Sequence, residues 1–246
     1  MRDNETQTEC PVHAAPVGQH ALGELFVVSL PIGNPEDITL RALRILRSVS
    51  AICCEDTRVS QPQLNDYSIQ TPLLSLQVRA EYVTLQTVTE KITSGLNVAV
   101  ISDCGTPLIA DPGLRVIQTV LSAGGNVTAV PGPSAVLAAL AASGFRTAPF
   151  YFAGFPPRGV ADRPEFFKSL CLQSGHIVLF EGQPYLRDSL RNLVNELGAD
   201  RPAALAQHLT TVREIWIRGT LGSILAQTGN KVRRSCPCTL VISAPI

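Results

Sequence analysis

Short apolar runs alternate with amphipathic segments along the first half of the chain. The runs are rich in β-branched side chains and predict buried strands at residues 25–30, 49–54, 73–76, 98–101 and 127–130. Apolar residues at helical spacing predict helices after Thr39 and over residues 82–93, 112–123 and 135–142. Asp37 and Thr39 offer caps for the first of these helices, and Ser134 is expected to cap the last. Residues 59–69 carry no regular period and are expected to be irregular. The alternation predicts parallel strands joined by helical crossovers.

The second half of the chain has the same elements in a different proportion. Strands are predicted at residues 150–153, 176–180, 203–207, 215–219 and 239–243. Helices are predicted at residues 164–172, 184–197 and 221–226. Because strands outnumber helices here, we expect a sheet with both parallel and antiparallel pairs.

These patterns divide the chain into three parts. Residues 1–21 are polar and without periodicity, which predicts a mobile N-terminal tail. Residues 144–149 fit neither a helix nor a strand and predict a boundary between domains at residues 22–146 and 147–246. The predicted fold class is therefore α/β, with two α/β domains and a cleft between them.

Three loops of small, polar and proline residues each follow a predicted strand and precede a predicted helix, at residues 31–35, 102–107 and 131–134. The carboxyl ends of parallel strands meet at one edge of a sheet, where open α/β folds bind their ligands. Asp103 and Thr106 are expected at this edge, and Asp111 is expected to cap the helix that follows. A single loop of this kind also fits a tight connection that needs glycine and proline for its geometry. Three of them in one sheet favour a binding edge.

Composition excludes several classes of protein. No apolar run approaches the roughly 20 residues that span a bilayer, and the N-terminus has no signal-peptide pattern, so we expect a cytoplasmic protein with no membrane partner. The seven cysteines lack the spacing and the histidine partners of zinc sites, so we expect no metal. The formal net charge of zero gives no general attraction to nucleic acid, although arginines can still bind phosphate locally.

Ionisable residues cluster at two predicted strand ends. Glu55, Asp56 and Arg58 follow the second strand, where Arg58 could meet an anionic substrate group while the two carboxylates orient a hydroxyl. The alternative is a helix cap with a local ion pair. Glu181 ends a strand of the second half, and His176 opens that strand and is interpreted as structural. The motifs of dinucleotide-binding, phosphate-loop, serine-hydrolase and zinc-protease sites are absent from the sequence.

Taken in order, these loops resemble the tetrapyrrole methylase superfamily, and within it the ribosomal RNA small-subunit methyltransferase I family. The resemblance covers nearly all of the chain after residue 21. The motifs that carry it are Pro31-Ile32-Gly33-Asn34, Asp37-Ile38-Thr39-Leu40-Arg41, Glu55-Asp56-Thr57-Arg58, Ser102-Asp103-Cys104-Gly105-Thr106-Pro107, Asp111-Pro112-Gly113, Pro131-Gly132-Pro133-Ser134-Ala135, Gly154-Phe155-Pro156-Pro157-Arg158 and Arg218-Gly219-Thr220.

The resemblance implies a homodimer that binds S-adenosylmethionine between its two domains. It implies transfer of the methyl group to the 2′-hydroxyl of a cytidine in 16S ribosomal RNA or the 30S subunit. By motif, Glu55, Asp56 and Arg58 would face the RNA or the transferred group, and Glu181 would join the site from the second domain. The residues implied for the cofactor are Pro31, Gly33, Ile101, Asp103, Gly105, Thr106, Pro107, Ser134, Ala135 and Phe180.

The sequence departs from the family pattern in its second half. Where the family usually reads Tyr-Glu-Ser-Pro-His-Arg, this chain has Phe180-Glu181-Gly182-Gln183-Pro184-Tyr185, which keeps the acid and loses the histidine. Where the family reads Ala-Arg-Glu-Leu-Thr-Lys, it has Ala206-Gln207-His208-Leu209-Thr210-Thr211, without the arginine, glutamate and lysine. Two hypotheses follow: an active 2′-O-methyltransferase, or a relative that binds S-adenosylmethionine and has lost or changed its RNA substrate.

Overall fold

The structure is a computed structural model that describes residues 21–159, 161–228 and 237–245. It contains two five-stranded sheets with helices packed against them. The predicted N-terminal tail, apart from Ala21, lies outside these residues. In the described part of the chain, every helix is too short or too polar to cross a membrane.

The first sheet is entirely parallel, as the alternation of strands and helices predicts. Its strands are β1 (Glu24–Val28), β2 (Ala51–Cys54), β3 (Leu73–Ser75), β4 (Val98–Val100) and β5 (Asn126–Val130). They lie side by side in the order β3-β2-β4-β1-β5. β1 therefore pairs with both β4 and β5, which brings the loops after these three strands to the same edge.

Helices cover both faces of this sheet. They are α1 (Leu40–Ser48), α2 (Thr57–Asp66), α3 (Glu81–Thr93), α4 (Leu114–Ser122) and α5 (Ala135–Ala142). Because side chains alternate along a strand, Val98 and Val100 of β4 pack against α3 and α4, while Ala99 packs on the face that α1 and α2 cover. The predicted caps of two helices are confirmed: Thr39 accepts from the Ala42 N–H, and Ser134 accepts from the Leu137 N–H.

The prediction of an irregular segment after Arg58 is wrong, because α2 occupies most of it. Pro62 lies inside this helix, and a proline normally ends a helix because it lacks an N–H and clashes with the preceding turn. Two contacts offset that cost. Asp56 caps the helix by accepting a 2.9 Å hydrogen bond from the Arg58 N–H, and Leu64 is buried in the core.

The predicted start of the helix after β4 is also wrong. Asp111 does not cap that helix and Pro112 is not in its first turn, because α4 begins at Leu114 with Gly113 as its N-cap. The backbone of Gly113 has φ +124°, which glycine adopts without strain. Leu108 and Ala110 also have positive φ, so the chain turns twice before the helix begins.

The second sheet is mixed, as predicted: β6 and β7 are parallel, and the other neighbours are antiparallel. Its strands are β6 (Phe150–Phe152), β7 (His176–Gly182), β8 (Pro202–Gln207), β9 (Ile215–Thr220) and β10 (Pro237–Ile242), in the order β6-β7-β10-β8-β9. Its helices are α6 (Arg163–Ser169), α7 (Gln183–Leu197) and α8 (Leu221–Gln227). They share one core with β7, β8 and β10.

Helix α5 joins the two halves. It follows the first sheet along the chain, yet Val136, Ala139 and Leu140 pack against Val178 of β7 and Val241 of β10. The apolar contacts of α5 thus hold the second sheet beside the loop edge of the first. The division of the chain into domains at residue 146 stays a prediction.

Candidate functional site

A pocket opens where the loop edge of the first sheet meets the second sheet. It encloses about 750 Å³ of space, its open mouth included. The first half of the chain contributes Ile32, Cys104, Gly105, Thr106, Ile109, Asp111, Ser134 and Ala135. The second half contributes Phe155, Phe180, Leu209, Pro237, Cys238 and Thr239. Both halves are therefore needed to form this pocket.

Hydrogen bonds hold the three loops together at the pocket. Leu30 and Gly105 exchange backbone hydrogen bonds of 2.9 and 3.0 Å, which joins the first two loops. The Ser29 hydroxyl donates to the Thr106 hydroxyl at 3.1 Å, and the Thr106 hydroxyl donates to the Pro133 carbonyl at 3.1 Å. The prediction that the three loops gather at one edge is confirmed.

Half of the predicted cofactor residues line this pocket, and half do not. Those that line it are Gly105, Thr106, Ser134, Ala135 and Phe180. Those that do not are Pro31, Gly33, Ile101, Asp103 and Pro107. Of the second group, Pro31, Ile101 and Pro107 are buried.

The second half of the chain supplies most of the aromatic surface. The ring of Phe180 lies 4.9 Å from the ring of Phe152 and 5.4 Å from that of Phe155, measured between ring centroids. Opposite them, Gly33 abuts residues 209–211, and the Asn34 N–H donates to the Thr210 hydroxyl at 2.9 Å. This contact fixes the position of Leu209 beside Ile32 in the pocket wall.

Three carboxylates converge beside the pocket at the ends of β2 and β4. Burial raises the pKa of Asp111 to about 6, with help from the nearby charges of Glu55 and Asp103. Burial also raises the pKa values of Glu55 and Asp103, and the charge of Asp56 adds to both shifts. Of these groups only Asp111 lines the pocket. The sequence contained Asp111 within a family motif, but its role there was predicted to be that of a helix cap.

Asp56 and Arg58 form the helix cap and local ion pair that were predicted as the alternative to a functional role. Asp56 caps α2, and its carboxylate Oδ2 lies 2.6 Å from Nη2 of Arg58. These hydrogen bonds lower the pKa of Asp56 to about 2. The Arg58 side chain remains 83% exposed, so it can still contact a large ligand at the surface.

Glu181 lies on the opposite face of β7 from Phe180. Its carboxylate is buried and accepts hydrogen bonds from the Ser189 hydroxyl of α7 and the Gly182 N–H. Arg163 Nη2 is 3.7 Å from the same carboxylate and donates to the Ser189 hydroxyl at 2.6 Å. The catalytic role of Glu181 stays a prediction that this placement does not support.

Several pocket residues were not predicted as site residues. Ile32, Cys104, Ile109 and Phe155 lie within or beside the quoted motifs, so membership of a motif loop was their signal. Leu209 lies in a segment where the sequence departs from the family pattern, and only the three-dimensional contact with Gly33 places it.

The charge of the pocket is one-sided. Among the lining residues that the structure describes, Asp111 is the only carboxylate, and lysine, arginine and histidine are absent. Within residues 21–159, 161–228 and 237–245, no group of three or more histidine, cysteine, aspartate or glutamate side chains is arranged to hold a metal ion. The pocket therefore favours a ligand that carries positive charge.

The chain and its fold match a known family. The family model described as Tetrapyrrole (Corrin/Porphyrin) Methylases matches residues 24–225. The solved structure of cobalt precorrin-4 methyltransferase matches with a TM-score of 0.66 at 20% identity, covering 94% of this chain and 98% of its own. Uroporphyrin-III-C-methyltransferase from Thermus thermophilus matches with a TM-score of 0.63 at 20% identity, covering 90% of this chain and 94% of its own. The chain is a methyltransferase of the tetrapyrrole methylase family.

Relatives of higher sequence identity place the chain in a narrower family of methyltransferases. Ribosomal RNA small subunit methyltransferase I of Thermotoga maritima is 39% identical over 210 residues, which are 85% of this chain and 94% of the relative. The protein of the same name in Bacillus subtilis is 35% identical over 224 residues, which are 91% of this chain and 76% of the relative. The chain belongs to the ribosomal RNA small subunit methyltransferase I family.

Proposed function

We propose that the protein transfers a methyl group from S-adenosylmethionine to the 2′-hydroxyl of a cytidine in 16S ribosomal RNA. The observation that carries the proposal is the charge of the pocket, which has one carboxylate and no cationic side chain among its described lining residues. Such a lining suits a sulfonium cation and disfavours a cofactor with phosphate groups. The name shared by the relatives supports ribosomal RNA as the substrate.

The residues present fit this cofactor. Ile32, Ala135, Phe180 and Leu209 offer an apolar surface for a purine base. The hydroxyls and backbone groups around Thr106 offer hydrogen bonds for a ribose and an amino-acid tail. When bound, S-adenosylmethionine supplies a methyl group activated by the positive sulfur.

Other residues predicted to bind the cofactor shape the walls of the pocket. Gly33 allows residues 209–211 to approach, and Gly105 allows the second loop to lie against Ile32. Ile101 and Pro107 fix the ends of that loop from within the protein. Rigid walls of this kind hold the reacting atoms in line, and alignment is the main requirement of methyl transfer.

We assign to the rim of the pocket a set of exposed groups that suit RNA. Arg58 is exposed beside Asp56, and the guanidinium carbon of Arg158 lies 4.4 Å from the centre of the Tyr185 ring. Phe155 is 46% exposed and lines the pocket at the same time. Cations bind phosphates and exposed aromatic rings stack on unpaired bases, so this rim can hold a single-stranded segment.

We further propose that the protein acts as a homodimer in the cytoplasm, on 16S ribosomal RNA or on the 30S subunit. The resemblance to the family supports the dimer, and the location of ribosomal subunits supports the compartment. Light scattering coupled to size-exclusion chromatography measures the mass of the assembly. A mass of one chain at micromolar concentration would contradict the dimer.

The central experiment uses S-adenosylmethionine with a radiolabelled methyl group and unmethylated 30S subunits. The proposal expects label in the 16S RNA, recovered after nuclease digestion as 2′-O-methylcytidine. Isothermal titration calorimetry on the protein alone measures cofactor binding separately. Binding without RNA labelling would support the alternative, a relative with a lost or changed substrate. Absence of binding would defeat both hypotheses.

The role of Arg58 is tested by a matched pair of substitutions. Arg58→Ala removes a cation of the rim, whereas Arg191→Ala removes a cation of a similar surface pair with Asp188 on α7. We expect Arg58→Ala to raise the KM for 30S subunits about tenfold and to leave the Kd for S-adenosylmethionine unchanged. Equal KM values for the two variants would exclude Arg58 from the RNA contact.

A further inference from the structure

The loop between β4 and α4 contains two residues with an uncommon backbone conformation. Leu108 and Ala110 have φ values of +72° and +68°, which cost energy for residues with a side chain. These two turns stand on either side of Ile109, which lines the pocket, and Asp111 follows directly and lines it too. Strained backbone of this kind is typically retained where it positions a group for function.

The surroundings of Asp111 contain acceptors and few donors. Glu55 and Asp103 are the charged groups that raise its pKa, and the nearby Ser102 hydroxyl lowers it. Nearby, Oδ1 of Asp103, Oε1 of Gln63 and the hydroxyl of Ser60 are buried and make no hydrogen bond among the described residues. Gln63 lies beside Asp103 because its Nε2 donates a hydrogen bond to the Asp103 carbonyl at 3.1 Å. Buried polar atoms without partners indicate a ligand that completes their hydrogen bonds.

We propose that Asp111 is the proton acceptor of the methyl transfer, an inference that rests on the proposed function. The 2′-oxygen of the nucleotide forms a bond to the methyl carbon as the bond between that carbon and the sulfonium sulfur breaks. The hydroxyl O–H bond breaks, and its proton passes to the Asp111 carboxylate. The sulfonium becomes a neutral thioether, so charge is conserved.

The position of Asp111 separates it from the other acidic candidates. The carboxylate of Glu181 faces α7 and accepts a hydrogen bond from Ser189. The carboxylate of Asp56 pairs with Arg58 and caps α2. Glu55 is half-buried but does not line the pocket. A base must reach the proton that it removes, and among the described lining residues Asp111 is the one carboxylate able to do so.

Electrostatics suits Asp111 to this role. Burial first, and then the charges of Glu55 and Asp103, raise its pKa to about 6. A carboxylate with this pKa is ionised at neutral pH, yet it is a stronger base than an exposed aspartate. The wild-type rate should therefore fall as the pH decreases through about 6.

The test compares Asp111→Asn with Asp188→Asn, the same substitution on the exposed surface of α7. Both are assayed with labelled S-adenosylmethionine and 30S subunits at saturating cofactor, from pH 5 to pH 9. At saturating cofactor we expect Asp111→Asn to lose about 100-fold or more in kcat and to lack the inflection near pH 6. Its Kd for S-adenosylmethionine should also rise, because Asp111 is the one carboxylate among the described lining residues, and saturation separates that effect from the loss in kcat. Asp111→Glu, which keeps the carboxylate, should recover part of the rate.

Three results would overturn the inference alone. They are a kcat for Asp111→Asn within threefold of wild type, a loss of rate that disappears when the cofactor is raised to saturation, and a wild-type rate without an inflection between pH 5 and 7. A melting curve shows whether the variant is folded, and the wild-type pH profile stands without any variant. If wild-type protein transfers no label to the RNA, the proposed function and this inference fail together.

Discussion

A single methyl group added at Gly33 should damage the pocket without touching a ligand. Gly33 lies against the chain that contains Leu209, Thr210 and Thr211, where the second half of the protein closes on the first loop. A Cβ at Gly33 would lie 2.4 Å from the Leu209 carbonyl oxygen and 2.6 Å from Cγ2 of Thr211. Ordinary contact needs at least 3.4 Å, so residues 209–211 must retreat by roughly 1 Å.

The size of the effect follows from this overlap. Overpacking of a filled site costs about 1–3 kcal/mol, and for a chain of this size 1 kcal/mol lowers Tm by about 2–4 °C. We expect Gly33→Ala to melt about 4–8 °C below wild type. Leu209 moves away from Ile32 in the pocket wall, and about 1.4 kcal/mol of lost contact weakens cofactor binding tenfold.

Differential scanning calorimetry measures the stability, and isothermal titration calorimetry with S-adenosylmethionine measures the affinity. Gly182→Ala is the matched control, because a Cβ there would lie no closer than 3.7 Å to its neighbours and the backbone φ is −82°. The control should change Tm by less than 2 °C and leave the affinity unchanged. Wild-type Tm and Kd in Gly33→Ala would refute the packing of residues 209–211 on the first loop.

Three further predictions address other parts of the site. Asp111→Asn should stabilise the protein by about 1 kcal/mol at pH 7.5 and not at pH 4, because the folded state raises the pKa of Asp111 from 3.8 to about 6 and so loses stability as the pH rises through that range. S-Adenosylhomocysteine should slow maleimide labelling of Cys104, which lines the pocket, and not of Cys171, as measured by peptide mass spectrometry. Glu181→Ala should lower the free energy of unfolding by about 3–5 kcal/mol, because Arg163 loses a buried partner, and should leave the cofactor Kd unchanged.

Each of these predictions has a result that contradicts it. Equal melting temperatures of Asp111→Asn and wild type at pH 7.5 would show that burial does not disfavour the ionised carboxylate. Protection of Cys171 together with Cys104 would indicate a global change and not a ligand in the pocket. A weaker cofactor Kd in a folded Glu181→Ala variant would restore Glu181 to the site.

The strands were predictable because their signals are local. Val98 and Val100 face one buried side of the sheet and Ala99 faces the other, and short apolar runs of this kind are typical of parallel sheets. Caps are local as well, which is why Thr39 and Ser134 were assigned correctly. The gathering of three loops at one edge followed from the parallel topology alone.

The errors have physical causes that a local pattern does not contain. Helix α2 survives Pro62 because Asp56 and the burial of Leu64 compensate, and burial depends on distant parts of the chain. Glu181 and Phe180 are adjacent in sequence, but neighbours on a strand face opposite ways, so a motif that contains both cannot place both in one pocket. The role of Asp111 depended on two positive φ values that its sequence gives no reason to expect.

The position of β10 has a consequence for the order in which the protein folds. β10 pairs with β7 on one side and with β8 on the other, so those two strands are joined only through it. During synthesis β6 to β9 are made before β10. Until β10 is made, the edges of β7 and β8 that pair with it stay unpaired. Pairings between segments so far apart along the chain slow folding. The wall that carries Phe180 and Leu209 is therefore completed late, so a nascent chain acquires its ligand pocket only after β10 has emerged.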